Sequence, residues 1–261
     1  MHHHEMPTEE RELFADARRI LDAALEQGLT LRLTGSVACH VCAGGARELF
    51  AALAREEPGD LDFVGIRGES HRIAKLMEGL GYENDQGVII ATEGRRHIYV
   101  HAETRRVVDV FTDELAFNHR IDLRKRLTLS HPTLAPADLL LSKLQIVEIN
   151  LKDIKDAFVL LALHPVSRDV GGGTIDLDYI CGLLGNDWGF HRTATGNLDR
   201  LMQRIRDFDV GLARQEGVLS AATLLKNELM ECPKTMKWKI RAKIGTSARW
   251  YDVVEDKADT F

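Results

Sequence analysis

The sequence predicts an α+β fold: a mixed β-sheet backed by helices over residues 1–134, followed by an all-helical domain over residues 135–261. Three observations predict it. Short strand-like runs, the alternating Leu31-Arg32-Leu33-Thr34 and the β-rich Val107-Val108-Asp109-Val110-Phe111, alternate with segments of helical period in the first half. From Pro136 onward the β signal disappears and the periodicity is helical throughout. Between the two regimes, Pro132 to Pro136 supplies the punctuation of a boundary.

Thr8 to Gln27 reads as a helix with Leu13, Ala17, Ile20, Leu21 and Leu25 on one stripe, ended by Gly28. The Leu31–Thr34 strand follows, then Gly35-Ser36 and a short apolar helix. After the Gly44-Gly45 break, a second helix runs from Ala46 to Arg55, and Glu57-Pro58-Gly59 turns the chain into a strand carrying Asp60-Leu61-Asp62. Ser70 caps a helix to Leu80, stopped by Gly81. Val88 to Ala91 and His97 to His101 read as strands before the strand that holds Asp109. In the second half, Pro136 at the first helical position opens a helix to about Ile149, and Leu151 to Leu163 forms another. His164-Pro165 and Gly171-Gly172-Gly173 mark a linker; no Gly-Lys-Ser/Thr follows it, so it is not a phosphate loop. Helices are then expected over 176–184, 191–208, 214–230 and 234–244, with Pro233 breaking the last pair.

At 261 residues and 44% hydrophobic, the chain can bury one large core or two smaller ones. A formal charge of −6 argues against a general nucleic-acid coat but leaves room for a local basic face. No apolar run approaches the ~20 residues of a membrane span, and Ile20 to Leu25 is too short and charged around to be a leader. Four scattered cysteines do not make a disulfide framework, so a cytoplasmic protein is expected. His2-His3-His4 are set aside as a tag remnant or native start. Cys39-His40-Val41-Cys42 offers a single Cys-x-x-Cys with no second pair; structural zinc needs four ligands, so these cysteines read as small core residues.

The chemistry concentrates on carboxylates. In a strand, Asp60 and Asp62 point to the same face, because side chains alternate with a period of two. Asp109 lies mid-strand among β-branched and aromatic neighbours, where an unpaired carboxylate is costly to bury. Three carboxylates on adjacent strands form an oxygen-only donor set of the kind that holds Mg²⁺ with substrate phosphates, beside a Gly35-Ser36 turn whose helix amides can take phosphate.

Gly35-Ser36, Asp60-x-Asp62 and Asp109 together resemble the nucleotidyltransferase superfamily, with its polymerase-β-like palm. Lys143, in Leu139-Leu140-Leu141-Ser142-Lys143-Leu144-Gln145, and the Lys152-Asp153-Ile154-Lys155-Asp156 helix resemble the AbiEii-type group, which includes toxins of toxin–antitoxin pairs. The resemblance spans roughly residues 28–160. It implies transfer of a nucleoside monophosphate from a nucleoside triphosphate (ATP or another) to an acceptor hydroxyl, with pyrophosphate released. It further implies two Mg²⁺ ions on Asp60, Asp62 and Asp109, with Asp109 helping to deprotonate the acceptor. Gly35, Ser36 and Lys143 would hold the triphosphate; Asp153 or Asp156 would orient Lys143 or take the acceptor's proton; an antitoxin would be a partner. One departure stands out: Ser36 and Asp60 lie 24 positions apart, where about a dozen is usual, so an insertion falls there and Ser36 need not meet the triphosphate in the usual way.

Each of these residues also has an ordinary explanation. Asp favours strand ends and turns; Ser36 could be a simple helix cap; Lys143 could lay its stem along apolar neighbours; Lys152 and Asp156 could be a surface i,i+4 pair. Arg120 to Arg126 is basic, and Lys226, Lys234, Lys237, Lys239, Arg241, Lys243 and Arg249 face only Glu228 and Glu231 over that stretch. Such a run is a solvated face or a phosphate-backbone surface, with Trp238 and Trp250 as base-stacking platforms or packing anchors. An RNA acceptor such as a tRNA end fits the basic tail, and a small cationic acceptor, as in antibiotic modification, fits the acidic balance. Protein hydroxyls are a third class, and a non-catalytic nucleotide-binding module is the reading outside enzymes. Triphosphate binding with and without Mg²⁺ separates module from enzyme.

Overall fold

In a computed structural model, residues 8–44, 46–168 and 173–253 are described. The histidines at 2–4 and the glycines at 171 and 172 lie outside them. The chain forms two compact units whose segments interleave. Among the described residues the first unit takes the chain up to 44, Glu56–Leu115 and Asp122–Ala135; the second takes Ala46–Arg55, Ala116–Ile121 and the chain from Pro136.

The first unit is built on a five-stranded mixed sheet. Its strands are β1 (Leu31–Thr34), β2 (Leu61–Gly65), β3 (Tyr82–Asn84), β4 (Arg96–His101) and β5 (Val107–Thr112), in the order β1-β2-β5-β4-β3. Only β2 and β5 run parallel. Residues 132–134 lie along β1, where Leu33 N–H donates to Pro132 O and Leu134 N–H donates to Leu33 O, both at 2.9 Å. An otherwise open edge strand is thereby covered. Helices α1 (Thr8–Glu26), α2 (Gly35–Cys42), α4 (Ser70–Gly79) and α5 (Gln86–Ala91) pack on the strands. In α1 the inward stripe is Leu13, Ala17, Ile20, Leu21 and Ala24; Leu25 is exposed.

Val88–Ala91, expected as a strand, is the body of helix α5. The side chain of Asp85 accepts from Gly87 N–H at 2.8 Å and Val88 N–H at 3.2 Å. That cap satisfies two amides that have no partner within the helix, and it overrides the β preference of Val88-Ile89-Ile90. The strand actually present nearby, β3, is too short for periodicity to reveal.

In the second unit, α3 (Arg47–Ala52) packs on α7 (Leu151–Leu163). Around α7 lie α6 (Pro136–Leu144), α9 (Trp188–Arg204) and α10 (Leu212–Glu231), with α8 (Leu177–Leu184) on α10 and α11 (Met236–Ile244) on α9. Strands β6 (Glu114–Ala116) and β7 (Arg120–Asp122) pair with each other where the chain makes its short excursion at 116–121. The carboxyl-terminal half is not wholly helical: β8 (Val166–Ser167) and β9 (Ile175–Asp176) form a two-stranded parallel ladder. α6 stops at Leu144 rather than near Ile149 because its last carbonyls are claimed from outside. Asn197 Nδ2 donates to Leu144 O at 3.0 Å and to Ile146 O at 2.7 Å, while Asn118 Oδ1 accepts from Val147 N–H at 2.8 Å. Asn150 then caps α7 by accepting from Asp153 N–H at 2.9 Å. Among the described residues no helix is long and apolar enough to cross a membrane.

Candidate functional site

Two of the three expected carboxylates are set side by side by sheet register. Asp62 on β2 is the register partner of Asp109 on parallel β5 and, on its other side, of Thr34 at the end of β1. Partners in register share a face of the sheet, so Asp62 and Asp109 project together. Asp60 precedes β2 by one residue and is exposed. Its negative charge acts on Asp109, whose carboxyl is pushed above its ordinary value by burial first, with Asp60 adding to the rise and Arg96 opposing it.

Gly35 closes the same corner. It has φ of +68°, and a Cβ built there would overlap Asp62 Oδ2 and lie 3.0 Å from its Cγ. The glycine therefore meets both a left-handed backbone and a carboxylate filling the space of the missing side chain. Ser36 sits half-buried in the first turn of α2, and the capping position belongs to Thr34, not to Ser36. Gly35→Ala is expected to lower stability by about 1–2 kcal/mol from the backbone alone. It should also displace the Asp62 carboxylate. Thermal melting alongside a crystal structure of the variant checks both.

The cost of burying Asp109 is met by a neighbouring side chain. Arg96, at the start of β4, donates from Nε to Asp109 Oδ1 at 3.0 Å and Oδ2 at 2.8 Å, and its Nη2 bonds Oδ2 as well. Arg96 pairs in register with Phe111 and Ile98 with Asp109, so Arg96 is the diagonal neighbour of Asp109 on one face. Its guanidinium lies 5.4 Å from the Phe111 ring centroid. Among the described residues, no group of three or more His, Cys, Asp or Glu side chains is gathered closely enough to hold an ion. The donors do match a hard divalent cation in kind, since Asp60, Asp62 and Asp109 offer only carboxylate oxygen. The Arg96 guanidinium holds the positive charge on Asp109.

Lys143, Asp153 and Asp156 come together within the second unit. Lys143 is 7% exposed. Its Nζ lies 2.9 Å from Asp153 Oδ1 and 2.9 Å from Asp156 Oδ2. Asp156 is fully buried, not part of a surface pair, and it also accepts from Arg55: Nε to Oδ1 at 2.8 Å and Nη2 to Oδ2 at 3.2 Å. Two cations and two carboxylates thus form one network. Burial raises the Asp156 carboxyl, but the charges and hydrogen bonds of Lys143 and Arg55 outweigh it and hold the group below its ordinary value. Asp153 is the member with partial access to water. Arg55 comes from the stretch between Ser36 and Asp60, which thus supplies a buried cation to the helical unit.

In the basic tail the residues divide by use. Arg241 donates to the carbonyls of Gly245, Ala248 and Arg249 and lies 4.8 Å over the Trp188 ring. Lys226 pairs with Asp199, and Lys234 donates to Leu229 O and Cys232 O. Lys237, Lys239 and Lys243 are exposed. Trp250 donates to Thr193 Oγ1 at 3.1 Å and Trp238 meets His191 edge-on, so both serve as packing anchors. Together with Trp188, Lys237 and Arg241 they line a cavity of about 590 Å³. Cys39 is buried and Cys42 half-buried, neither in a disulfide; burial pushes the Cys42 thiol up to about 11 against a hydrogen bond with Thr133.

The chain matches no protein-family model and no curated protein.

Proposed function

We propose that the chain is a magnesium-dependent nucleotidyltransferase that joins a nucleoside monophosphate to an acceptor hydroxyl and releases pyrophosphate. The observation that carries this reading is the parallel register of Asp62 and Asp109, with Gly35 left bare to admit the Asp62 carboxylate. In the reaction the acceptor oxygen bonds to the α-phosphorus as the bond to the pyrophosphate oxygen breaks. Asp60, Asp62 and Asp109 would hold the magnesium, which when bound offsets the charge of the phosphate oxygens. The α2 amides after Gly35 and the Ser36 hydroxyl bind phosphate. Asp109, as a carboxylate, would also take the hydroxyl proton. Lys143 is a fixed cation oriented by Asp153 and Asp156.

The test is incubation of the protein with each labelled triphosphate and total cellular RNA, with and without Mg²⁺ and with and without RNA. Metal-dependent label on a product supports the reading; triphosphate binding that is indifferent to Mg²⁺, with no transfer, leaves a binding module.

For the acceptor we favour RNA, on the exposed Lys237, Lys239 and Lys243 beside the tryptophan-lined cavity. Neutralising these three should raise the apparent KM for RNA and flatten the salt dependence of RNA binding, with a slope smaller by roughly two to three. Triphosphate affinity should stay unchanged. Arg241 is kept in that variant because it holds the α11 terminus. Unaltered salt dependence would point to a small-molecule or protein acceptor.

A further inference from the structure

Arg96 occupies the position at which a cation would have to approach Asp109. Both carboxylate oxygens accept from its guanidinium, and a divalent ion bound to either oxygen would meet that fixed positive charge within a few ångströms. Carboxylate oxygens have lone pairs to spare, but two cations on one half-dry carboxylate repel strongly. The Arg96 side chain is 43% exposed while that of Asp109 is 10% exposed, so the arginine can leave and the aspartate cannot. A guanidinium released from a carboxylate finds its best alternative partner in phosphate, which matches its forked donors in the same two-point way. Asp62 also favours the charged guanidinium, after Asp109.

We propose that Arg96 is an exchanging counter-ion. It holds Asp109 while no nucleotide is present, and it passes to a phosphate of the incoming metal–nucleotide complex, freeing Asp109 for the ion. The consequence is ordered, cooperative loading: the metal alone binds weakly, and nucleotide and metal bind together. This rests on the nucleotidyltransferase reading, in which Arg96 touches Asp109 before loading and the substrate phosphate after it.

The experiment measures Mn²⁺ affinity by electron paramagnetic resonance for the wild-type chain, Arg96→Ala and Arg96→Gln, each with and without a triphosphate analogue carrying a non-cleavable α,β bridge. In the wild type the analogue should tighten Mn²⁺ binding. In Arg96→Ala, Mn²⁺ alone should bind about tenfold more tightly than to the wild type, and the coupling to nucleotide should shrink by a similar factor. Arg96→Gln keeps a hydrogen-bond donor beside Asp109 without the charge. It should behave like the alanine variant, which keeps the test decisive should Arg96→Ala fail to fold. Unchanged Mn²⁺ affinity in a folded variant of a metal-binding wild type overturns the counter-ion role and leaves the transferase reading intact. A wild type that binds no Mn²⁺ under either condition overturns both.

Discussion

In the proposed nucleotidyltransferase, Asp62→Asn should cut transfer by at least two orders of magnitude, ~10²-fold or more, while leaving the melting temperature nearly unchanged. The substitution keeps the size and one acceptor oxygen, removes the charge and turns the other oxygen into a donor. Asp62 is half-buried between Thr34 and Asp109 on adjacent strands, so an amide of the same shape fits the pleat. What it cannot do is offset the charge of a metal-bound phosphate. Asp109→Asn should show the same kinetic loss with a stability loss added, because the Arg96 guanidinium forfeits its carboxylate partner. That makes Asp62 the cleaner probe. Calorimetry and a labelled-triphosphate assay on the same preparation separate the two effects; undiminished turnover in Asp62→Asn would remove the site from Asp62 altogether.

The second large effect concerns stability. Arg55→Met should destabilise the fold by about 3–5 kcal/mol, since it leaves Asp156 buried with one cation where it had two. The side chains of Arg55 and Asp156 are 2% and 0% exposed, so solvent cannot compensate. The double variant Arg55→Met with Asp156→Asn should recover part of the loss, because the buried excess of negative charge is gone. The network also sets an acid limit. The Asp156 carboxyl lies below its ordinary value of 3.8 in the folded chain, so the unfolded chain binds the proton more readily. Its contribution is therefore complete above that ordinary value and is lost as pH falls through the depressed one. Chemical denaturation in steps below pH ~4 should show a steeper stability loss for the wild type than for the double variant.

Much of this was legible in the residues. The α+β division, the strands bearing Asp62 and Asp109 and most of the later helices follow from apolar period. Asp60, Asp62 and Asp109 could be singled out because a carboxylate inside Val107–Phe111 has no local reason to be there. Their neighbours could not. Arg96 reaches Asp109 through the β4–β5 register, and Arg55 reaches Asp156 through packing of distant segments; neither register nor packing is written in local spacing. The Val88–Ala91 error has a local cause, a single Asp85 cap whose amide bonds outweighed three β-branched residues. The early end of α6 has a remote one, Asn197 arriving from another helix to take its carbonyls.

The passage of residues 46–55 into the helical unit has a consequence for synthesis. Arg55 and Asp156 are separated by 101 positions. At ribosomal speeds of about 5–20 residues per second, Arg55 emerges roughly 5–20 seconds before its carboxylate exists. During that interval Leu49 and Phe50, which end up 2% and 5% exposed, have no α7 to pack against. The nascent sheet unit thus carries an apolar, cationic segment that matures only after the helices of the second half are translated. A stalled or truncated product ending near residue 135 would display that segment to chaperones and proteases, whereas the finished chain buries its Leu49, Phe50, Leu53 and Arg55.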